Sequence, residues 1–337
     1  MKRKIVTVGG GTGTALVNEA ILATGEVDDI SSIVTTFDNG GETQRRRLDS
    51  YGKEIAYSDA IRILVSLIDP KHADDPNVSV IKKWLLHRDD RDKVLGREIV
   101  NTFFDTNTGF SQIEKDLTDL GIKLKGQVIP ASTESSHIVF TTKSGISYKG
   151  ENLLDQYKTS KDMVDKIFLE PAVNAYPAAI EAIKNADIVI LSCGSLHGSL
   201  LCNFLPVGIR EAFGETKAKV YLVTNLFSSR NETHNITPLL YAKLIEDYSG
   251  RKIDGLIVPE MTRDEFKSKY PKANYLYQLR ESSYFLGWNK EELTEAEKAG
   301  IEIIKHDAVK IIEVPEENKI IVRHDPQKLA KTLTSIL

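Results

Sequence analysis

A run of glycines and threonines near the amino terminus has the composition of a phosphate-binding turn. The mostly apolar, β-branched run Ile5–Val8 stops at six consecutive small residues, and a helical pattern follows from Ala15. Glycines let the backbone approach a ligand closely, and the free N–H groups and dipole at a helix N-terminus attract anions. The sequence therefore predicts that a phosphate or diphosphate is held by Gly9, Gly10, Gly11, Thr12 and Gly13.

This turn does not complete either of the two common nucleotide-binding fingerprints. Gly9 and Gly11 fit the dinucleotide pattern G-x-G-x-x-G, but Thr14 stands where its third glycine belongs. No Gly-Lys-Ser/Thr follows to make a Walker A motif. A tight turn needed only to pack the helix against the strand is therefore the alternative interpretation.

A second polar loop follows the next predicted strand, residues 30–37, and completes a βαβ unit. It reads Asp38-Asn39-Gly40-Gly41. Ligands of open parallel sheets bind at the carboxyl ends of strands, so Asp38, Asn39 and Gly40 are expected to share a crevice with the glycine turn. An acid there could bind a ribose hydroxyl, hold a metal ion or orient a nucleophile. The alternative is an Asx-turn that only shapes the loop.

The next helical pattern brings a further carboxylate and an arginine. Ser58 is a candidate N-cap, Asp59 falls in the first turn, and Arg62 faces the same side one turn later. We take Asp59 as a candidate catalytic or metal-binding residue and Arg62 as a candidate ligand contact. The structural alternative is an acid that complements the helix dipole and forms an i,i+3 pair.

A later strand–turn–helix offers another anion site. The run 187–191, apolar after Asp187, is typical of a buried parallel strand, and the small polar turn Cys193–Ser199 follows it. Gly194 and Ser195 are candidate contacts here, as is Asn225 at the end of the next strand. The turn lacks the G-x-S-x-G pattern of a serine-hydrolase elbow, so we interpret His197 as an ordinary loop histidine.

Composition excludes several classes of protein. The chain has 337 residues, 41% hydrophobic and 27% charged, with a formal net charge of -4, which argues against a general nucleic-acid partner. No apolar run approaches the ~20 residues of a membrane helix, and the basic start has no apolar signal segment behind it. We expect a cytoplasmic protein in which Cys193 and Cys202 are free thiols.

The alternation of strands and helices predicts a Rossmann-like, doubly wound α/β fold with a mostly parallel sheet. We expect one domain over residues 1–337. Helical patterns and short strand-and-turn patterns within residues 71–165 suggest an inserted helical and β-hairpin subdomain. Near the carboxyl end, Asp325-Pro326 has the form of a helix cap.

Several short segments, in this order and spacing, resemble one known family nearly from end to end. That family joins CofD, the 2-phospho-L-lactate transferase of deazaflavin cofactor synthesis, with the YvcK-type gluconeogenesis factors of bacteria. The matching segments are Val8–Gly13, Val34–Gly41, Ser58–Arg62, Gly126–Ser132, Ile167–Pro171, Ala186–Leu196, Val223–Leu226 and Arg323–Ala330.

The resemblance implies a protein that binds a nucleotide diphosphate compound. In the transferase branch the donor is a GDP-linked lactate, magnesium assists, and the acceptor is a deazaflavin. In the regulator branch the ligand is similar to a UDP-sugar, and the protein influences carbon metabolism, cell-wall synthesis and thereby cell shape. Phe168-Leu169-Glu170-Pro171 and Arg323-His324-Asp325-Pro326 look closer to the regulator branch.

Two departures from the family pattern bear on activity. Asn39 replaces a usual aspartate, and Tyr57-Ser58-Asp59 replaces Pro-Gly-Asp. Losing a carboxylate weakens the case for Mg²⁺, since hard cations prefer charged oxygens.

Three hypotheses stay open at this stage: a regulator that binds a UDP-sugar, a CofD-like phosphotransferase using Asp38 and Asp59 with Mg²⁺, and an NAD(P)-dependent oxidoreductase. The missing third glycine argues against the oxidoreductase. A small-molecule nucleotide is the expected partner; a homodimer and a regulatory protein partner are further expectations.

Overall fold

The computed structural model describes residues 3–37, 55–87, 111–317 and 319–337. Its strands, in chain order, are β1 (Ile5–Gly9), β2 (Ile30–Val34), β3 (Gly126–Pro130), β4 (His137–Thr142), β5 (Ser147–Lys149), β6 (Val164–Glu170), β7 (Ile188–Leu191), β8 (Lys219–Val223), β9 (Gly255–Pro259), β10 (Glu302–His306), β11 (Val309–Val314) and β12 (Lys319–His324).

The α-helices of the same residues are α1 (Gly11–Ala23), α2 (Ser58–Ser66), α3 (Pro76–Leu85), α4 (Ser111–Asp119), α5 (Asn152–Gln156), α6 (Pro177–Asn185), α7 (Ile209–Glu215), α8 (Pro238–Ser249), α9 (Arg263–Lys269), α10 (Pro271–Glu281), α11 (Lys290–Lys298) and α12 (Pro326–Leu333). None of them combines the length and apolar character that crossing a bilayer requires.

A seven-stranded sheet in the order β10-β9-β8-β7-β1-β2-β3 organises the fold. Every pair of neighbouring strands in it is parallel. The chain moves outward from β1 through β2 to β3, returns beside β1 as β7, and continues outward to β10. The strand order therefore reverses between β1 and β7, which is where doubly wound sheets bind ligands. The predicted fold class is confirmed.

The alternation of side chains along β1 and β7 builds a core on each face of the sheet. Val8 and Leu191 point to one core, and Ile5 and Ile190 point to the other, where α1 and α2 pack. Because both faces are covered, these strands consist almost wholly of buried residues, as parallel strands require.

A buried polar network fixes α1 against the sheet. Thr7 on β1 donates to the Asn18 Oδ1 atom at 2.9 Å. The Asn18 amide donates to Ser32 on β2 at 2.9 Å and to Ser66 on α2 at 3.1 Å. A satisfied network of this kind specifies one packing arrangement, so the middle of α1 is held in a fixed position above the sheet.

Two smaller sheets flank the main one. Strands β5, β4 and β6 form an antiparallel sheet in that order, and β11 pairs with β12 as an antiparallel hairpin. Of the range 71–165, β3 belongs to the main sheet, whereas β4 and β5 belong to the small one. The subdomain boundary stays a prediction.

Local patterns missed or misplaced several elements. The sequence did not indicate α9, α10, α11 or β10. Strand β10 carries Glu302 and Lys305 because it is an edge strand that pairs only with β9. The predicted N-cap role of Ser58 is wrong, since Tyr57 takes that position and Ser58 is the first helical residue. Asp325, as predicted, caps α12 by accepting from two backbone N–H groups.

Candidate functional site

The glycine turn joins β1 to α1 at the point where the strand order reverses. Gly10 is the N-cap of α1 and contributes no side-chain cap, so the first N–H groups of the helix are left for other partners. A Cβ added at Gly13 would lie 1.5 Å from the Cys193 carbonyl oxygen, and one at Gly11 would lie 2.3 Å from Asp59 Oδ1. These glycines therefore allow close packing within the protein, as the alternative interpretation of the turn anticipated.

Helix α2 brings Asp59 and Arg62 to this turn. The Asp59 carboxylate lies against Gly10 and Gly11, where added Cβ atoms would be within 3.0 Å of it. The Arg62 guanidinium donates a hydrogen bond to Thr12 Oγ1. Asp59 and Arg62 are about 50 residues away from the glycine turn in sequence. They contact the turn because α2 packs on α1.

The loop after β7 forms the opposite side of the site. After Cys193 and Gly194 the chain enters a π-helical turn, Leu196–Leu200, whose N-cap is Ser195. The Asn225 amide donates to the Gly194 carbonyl oxygen at 2.6 Å, and its Oδ1 atom accepts from the Tyr241 hydroxyl at 2.9 Å. Asn225 thereby holds the backbone at Gly194 in place.

A cavity of about 420 Å³ lies between these elements, and we call it the glycine-turn cavity. Asp59, Glu151 and Asp155 supply its charged groups, and its described lining contains no lysine or arginine. Its lining residues are Gly10, Gly11, Thr12, Gly13, Asp59, Glu151, Asp155, Cys193, Gly194, Ser195, Gly198 and Ser199.

A second cavity of about 400 Å³ adjoins the first and has a different character; we call it the aromatic cavity. The rings of Phe227 and Tyr277 stack in its wall with centroids 3.8 Å apart. Arg323 provides its positive charge. It is lined by Thr12, Gly13, Leu16, Cys193, Gly194, Asn225, Leu226, Phe227, Tyr277, Val322, Arg323 and His324.

Beside Arg323, two buried histidines form a hydrogen-bonded pair. His324 Nε2 lies 2.9 Å from the Thr224 carbonyl oxygen, so this nitrogen carries the proton. His324 Nδ1 then accepts from His306 Nε2 at 3.1 Å. Burial lowers the pKa of His324 to about 4, and burial together with its neighbour lowers the pKa of His306 to about 3. Both imidazoles are therefore neutral in the folded protein near neutral pH.

Because His306 and His324 are buried in the neutral form, we expect the free energy of unfolding to decrease in mild acid. As the pH falls below about 6.5, the unfolded chain takes up protons on both histidines before the folded chain does. The free energy of unfolding should then fall by about 1.4 kcal/mol per pH unit and per histidine until the folded pKa values are reached. Urea unfolding at pH 7, 6 and 5 measures this slope.

His324→Gln is the informative variant for that experiment, because a glutamine amide can still donate to the Thr224 carbonyl. We expect it to lose roughly half of the wild-type slope between pH 6.5 and 5. A slope identical to that of the wild type would contradict the assignment to these histidines.

The structure brings most of the predicted site residues together. Gly10 to Gly13, Asp59, Gly194 and Ser195 line the glycine-turn cavity, and Arg62 contacts Thr12. Gly9 lies behind them, where an added Cβ would meet Ser192. Asn225 lines the aromatic cavity. Asp38, Asn39 and Gly40 lie outside the described residues, so their predicted roles, like every binding role here, stay predictions.

Sequence reasoning missed several lining residues. Glu151 is the N-cap of the short helix α5, which connects β5 to β6, and Asp155 lies within that helix; no local pattern marks either as a site residue. Tyr277 lies on α10, which was not predicted. Arg323 was noted only within a segment that resembles the family, not as a site residue, although its position at the end of β12 was a usable signal.

Both cysteines are free thiols, as predicted. Burial raises the pKa of Cys193 to about 11, so this thiol, which lines both cavities, is protonated at neutral pH and is a poor nucleophile. Within the described ranges, no group of three or more His, Cys, Asp and Glu side chains is arranged to hold a metal ion.

Comparison with known proteins identifies the family. Residues 5–309 match the family described as 2-phospho-L-lactate transferase CofD. Because this match covers most of the chain, the protein belongs to the CofD family, and the resemblance inferred from the short motifs is confirmed.

Similar proteins carry the gluconeogenesis-factor name. One from Aquifex aeolicus is 31% identical over 344 residues, covering 100% of this chain and 97% of the relative. The gluconeogenesis factors of Listeria innocua and Bacillus subtilis are 27% and 26% identical over 100% of this chain and over 96% and 98% of their own lengths.

The fold is also known from experiment. Two crystal structures of a UPF0052-family protein from Bacillus halodurans superpose with TM-scores of 0.79 and 0.78, at 23% and 25% identity. They cover 98% and 99% of this chain and 99% of the other chain. The structural similarity supports the α/β fold described above for this chain.

Proposed function

We propose that this protein is a cytoplasmic regulator of the YvcK gluconeogenesis-factor type, which binds a UDP-sugar-like nucleotide diphosphate and influences carbon metabolism and cell-wall precursor synthesis. The relatives that share its full length carry the gluconeogenesis-factor name. The observation that carries the ligand proposal is the junction of two unlike cavities at Thr12, Gly13, Cys193 and Gly194.

The charges and surfaces of the two cavities suggest how such a ligand lies. The stacked rings of Phe227 and Tyr277 suit a nucleoside base, because aromatic faces attract flat rings. The diphosphate would lie at the junction, near the start of α1 and within the field of Arg323. The distal sugar would extend toward Glu151 and Asp155, whose oxygens can accept hydrogen bonds from hydroxyl groups.

Magnesium fits this arrangement as a companion of the diphosphate. Mg²⁺ keeps several waters and is commonly held by one or two carboxylates together with phosphate oxygens. Asp59, whose carboxylate lies at the start of α1, would supply such an oxygen, and we propose the same for Asp38. The ion would offset the repulsion between this carboxylate and the ligand's phosphates.

Asp59→Asn tests that role. In the wild type we expect Mg²⁺ to increase the affinity for UDP-GlcNAc by about tenfold or more. This factor corresponds to the free energy of one charge-assisted contact. The variant should bind with nearly the same affinity with and without Mg²⁺. Isothermal titration measures both affinities, and Asp119→Asn, at an exposed position of α4, is the matched control. An unchanged magnesium effect in Asp59→Asn would contradict the assignment.

A CofD-like transferase is the second candidate, favoured by the carboxylate of Asp59 beside the proposed diphosphate. A deazaflavin hydroxyl oxygen would form a bond to the β-phosphorus while the bond to the bridging oxygen breaks and GMP leaves. Asp38 or Asp59 would hold Mg²⁺ or accept the proton. Release of GMP from a GDP-linked lactate donor, lost in Asp59→Asn, would establish this reaction.

A thermal-shift screen separates these functions. The ligands are UDP-GlcNAc, other UDP-sugars, GDP, NAD and NADP, each with and without Mg²⁺. A ligand at 100 times its Kd should stabilise the fold by about 2.7 kcal/mol. We expect a shift with UDP-sugars. A magnesium-dependent shift with GDP alone would favour the transferase, and a shift with NAD or NADP alone would contradict both functions.

A further inference from the structure

A buried carboxylate behind the glycine-turn cavity ties the loop after β7 to the loop after β8. The Glu232 side chain is 6% exposed. Its Oε1 atom accepts from the Ser195 hydroxyl at 3.0 Å, from the His197 backbone N–H at 2.8 Å and from His197 Nδ1 at 3.1 Å. Three donors of one loop therefore converge on a single oxygen.

These contacts define the charge state of the group. Burial alone would raise the pKa of Glu232, but the hydrogen bonds and charge of His197 and the Ser195 hydroxyl outweigh it, and the pKa lies below its ordinary value. Glu232 is therefore an ionised acceptor, and the nearby His197 Nδ1 atom serves as one of its donors.

The turn that carries Glu232 is itself firmly built. The Ser229 N–H donates to Thr233 Oγ1 at 2.7 Å, which closes the turn. The neighbouring Asn231 amide donates to the Leu154 carbonyl oxygen at 2.9 Å, and the Val164 N–H donates to the Asn231 carbonyl oxygen at 2.8 Å. The same turn is thus attached to the segment that carries Glu151 and Asp155.

Two walls of the cavity are therefore attached to one turn. Glu232 holds the wall formed by Gly194, Ser195 and Ser199, and Asn231 holds the wall formed by Glu151 and Asp155. Glu232 does not line the cavity itself, so it can affect a ligand only through the residues that it positions.

We infer that Glu232 is a positioning residue that keeps the Gly194–Ser199 loop in its ligand-binding conformation. The inference rests on the proposed function, because it concerns binding of a diphosphate in the glycine-turn cavity. Removing the carboxylate leaves two buried His197 donors without an acceptor and the half-buried Ser195 hydroxyl without its partner, which costs more than a single exposed hydrogen bond. The loop is then expected to rearrange.

The test compares two substitutions of this residue. Glu232→Gln keeps an oxygen where all three donors converge, whereas Glu232→Ala removes it. We expect Glu232→Ala to weaken binding of UDP-GlcNAc and of inorganic pyrophosphate by about tenfold or more. Glu232→Gln should remain within about threefold of the wild type, which is rescue by the conservative variant.

A control separates positioning from general destabilisation. Thr237→Ala removes the N-cap hydrogen bond of α8, which lowers stability by about 1 kcal/mol without touching the loop. Its affinity for both ligands should equal that of the wild type at a temperature where every variant is folded. Amide hydrogen exchange of His197 in the free protein should accelerate in Glu232→Ala and stay slow in Glu232→Gln.

The outcomes are distinguishable. Wild-type affinity in Glu232→Ala, or equal losses in the alanine and glutamine variants, would overturn the positioning role while leaving the proposed function intact. If the wild type binds neither UDP-GlcNAc nor pyrophosphate, the proposed function and the inference are both overturned.

Discussion

Gly13→Ala is expected to destabilise the protein by about 3 kcal/mol or more, the range of severe overpacking, and to abolish ligand binding. The new methyl group would lie 1.5 Å from the Cys193 carbonyl oxygen. That oxygen belongs to the backbone two residues after β7, a strand that is hydrogen-bonded into the centre of the sheet, so it cannot rotate away as a side chain would. Helix α1 must therefore shift, and the junction of the two cavities opens.

Gly214→Ala is the matched control for this substitution. Gly214 lies within α7, and a Cβ there would meet no atom within 4 Å beyond its own helix backbone and chain neighbours. Alanine is favoured over glycine in a helix by about 0.5–1 kcal/mol, so this variant should be as stable as the wild type or more so. Urea unfolding followed by circular dichroism measures both. A Gly13→Ala protein of wild-type stability would contradict the packing described here.

The second large effect concerns Arg323. It is the only lysine or arginine on the described lining of the aromatic cavity, and the proposed diphosphate would lie within its reach. Arg323→Ala should weaken UDP-GlcNAc binding by about 10- to 100-fold, because hydrogen bonds between charged groups contribute about 1.5–3 kcal/mol. Isothermal titration at low salt gives the affinity.

Two further variants sharpen this prediction. Arg323→Lys keeps the charge but loses the planar fork that binds two phosphate oxygens at once, so we expect an intermediate affinity. Arg280→Ala removes an exposed arginine of α10 that lines neither cavity and should leave the affinity unchanged. Equal affinities of Arg323→Ala and the wild type would place the phosphates elsewhere.

Local sequence patterns could predict those parts of the site that are formed by residues consecutive in sequence. The strand–turn–helix at Gly9–Gly13 and the loop at Gly194 each follow a continuous apolar strand, and parallel strands bring their carboxyl ends to one edge of the sheet. Adjacent placement of the two loops then follows from the reversal of strand order between β1 and β7.

The remaining residues depend on packing between distant segments. Glu151 and Asp155 reach the cavity because Asn231, more than 70 residues later, holds their segment in place. Tyr277 and Arg323 meet in the aromatic cavity because the Val322 N–H donates to the Tyr277 hydroxyl at 3.0 Å. Neither arrangement leaves a periodic signal in the sequence.

For Asn225, the sequence predicted the position of the residue correctly but did not predict its hydrogen-bond partners. The sequence marked it as a polar residue at a strand end and so as a candidate ligand contact. In the structure its amide is bonded to the Gly194 carbonyl oxygen and its oxygen accepts from Tyr241. A position at the rim is predictable from sequence, whereas the partner of a side chain there is set by tertiary contacts.

A crystal structure of this protein with UDP-GlcNAc and Mg²⁺ tests the central proposal most directly. We expect the diphosphate at the junction of the two cavities, beside Thr12, Gly13 and Gly194, with the uracil ring against Phe227 and Tyr277 and the sugar toward Glu151. A nucleotide bound away from this junction, or no bound nucleotide at saturating concentration, would contradict the account.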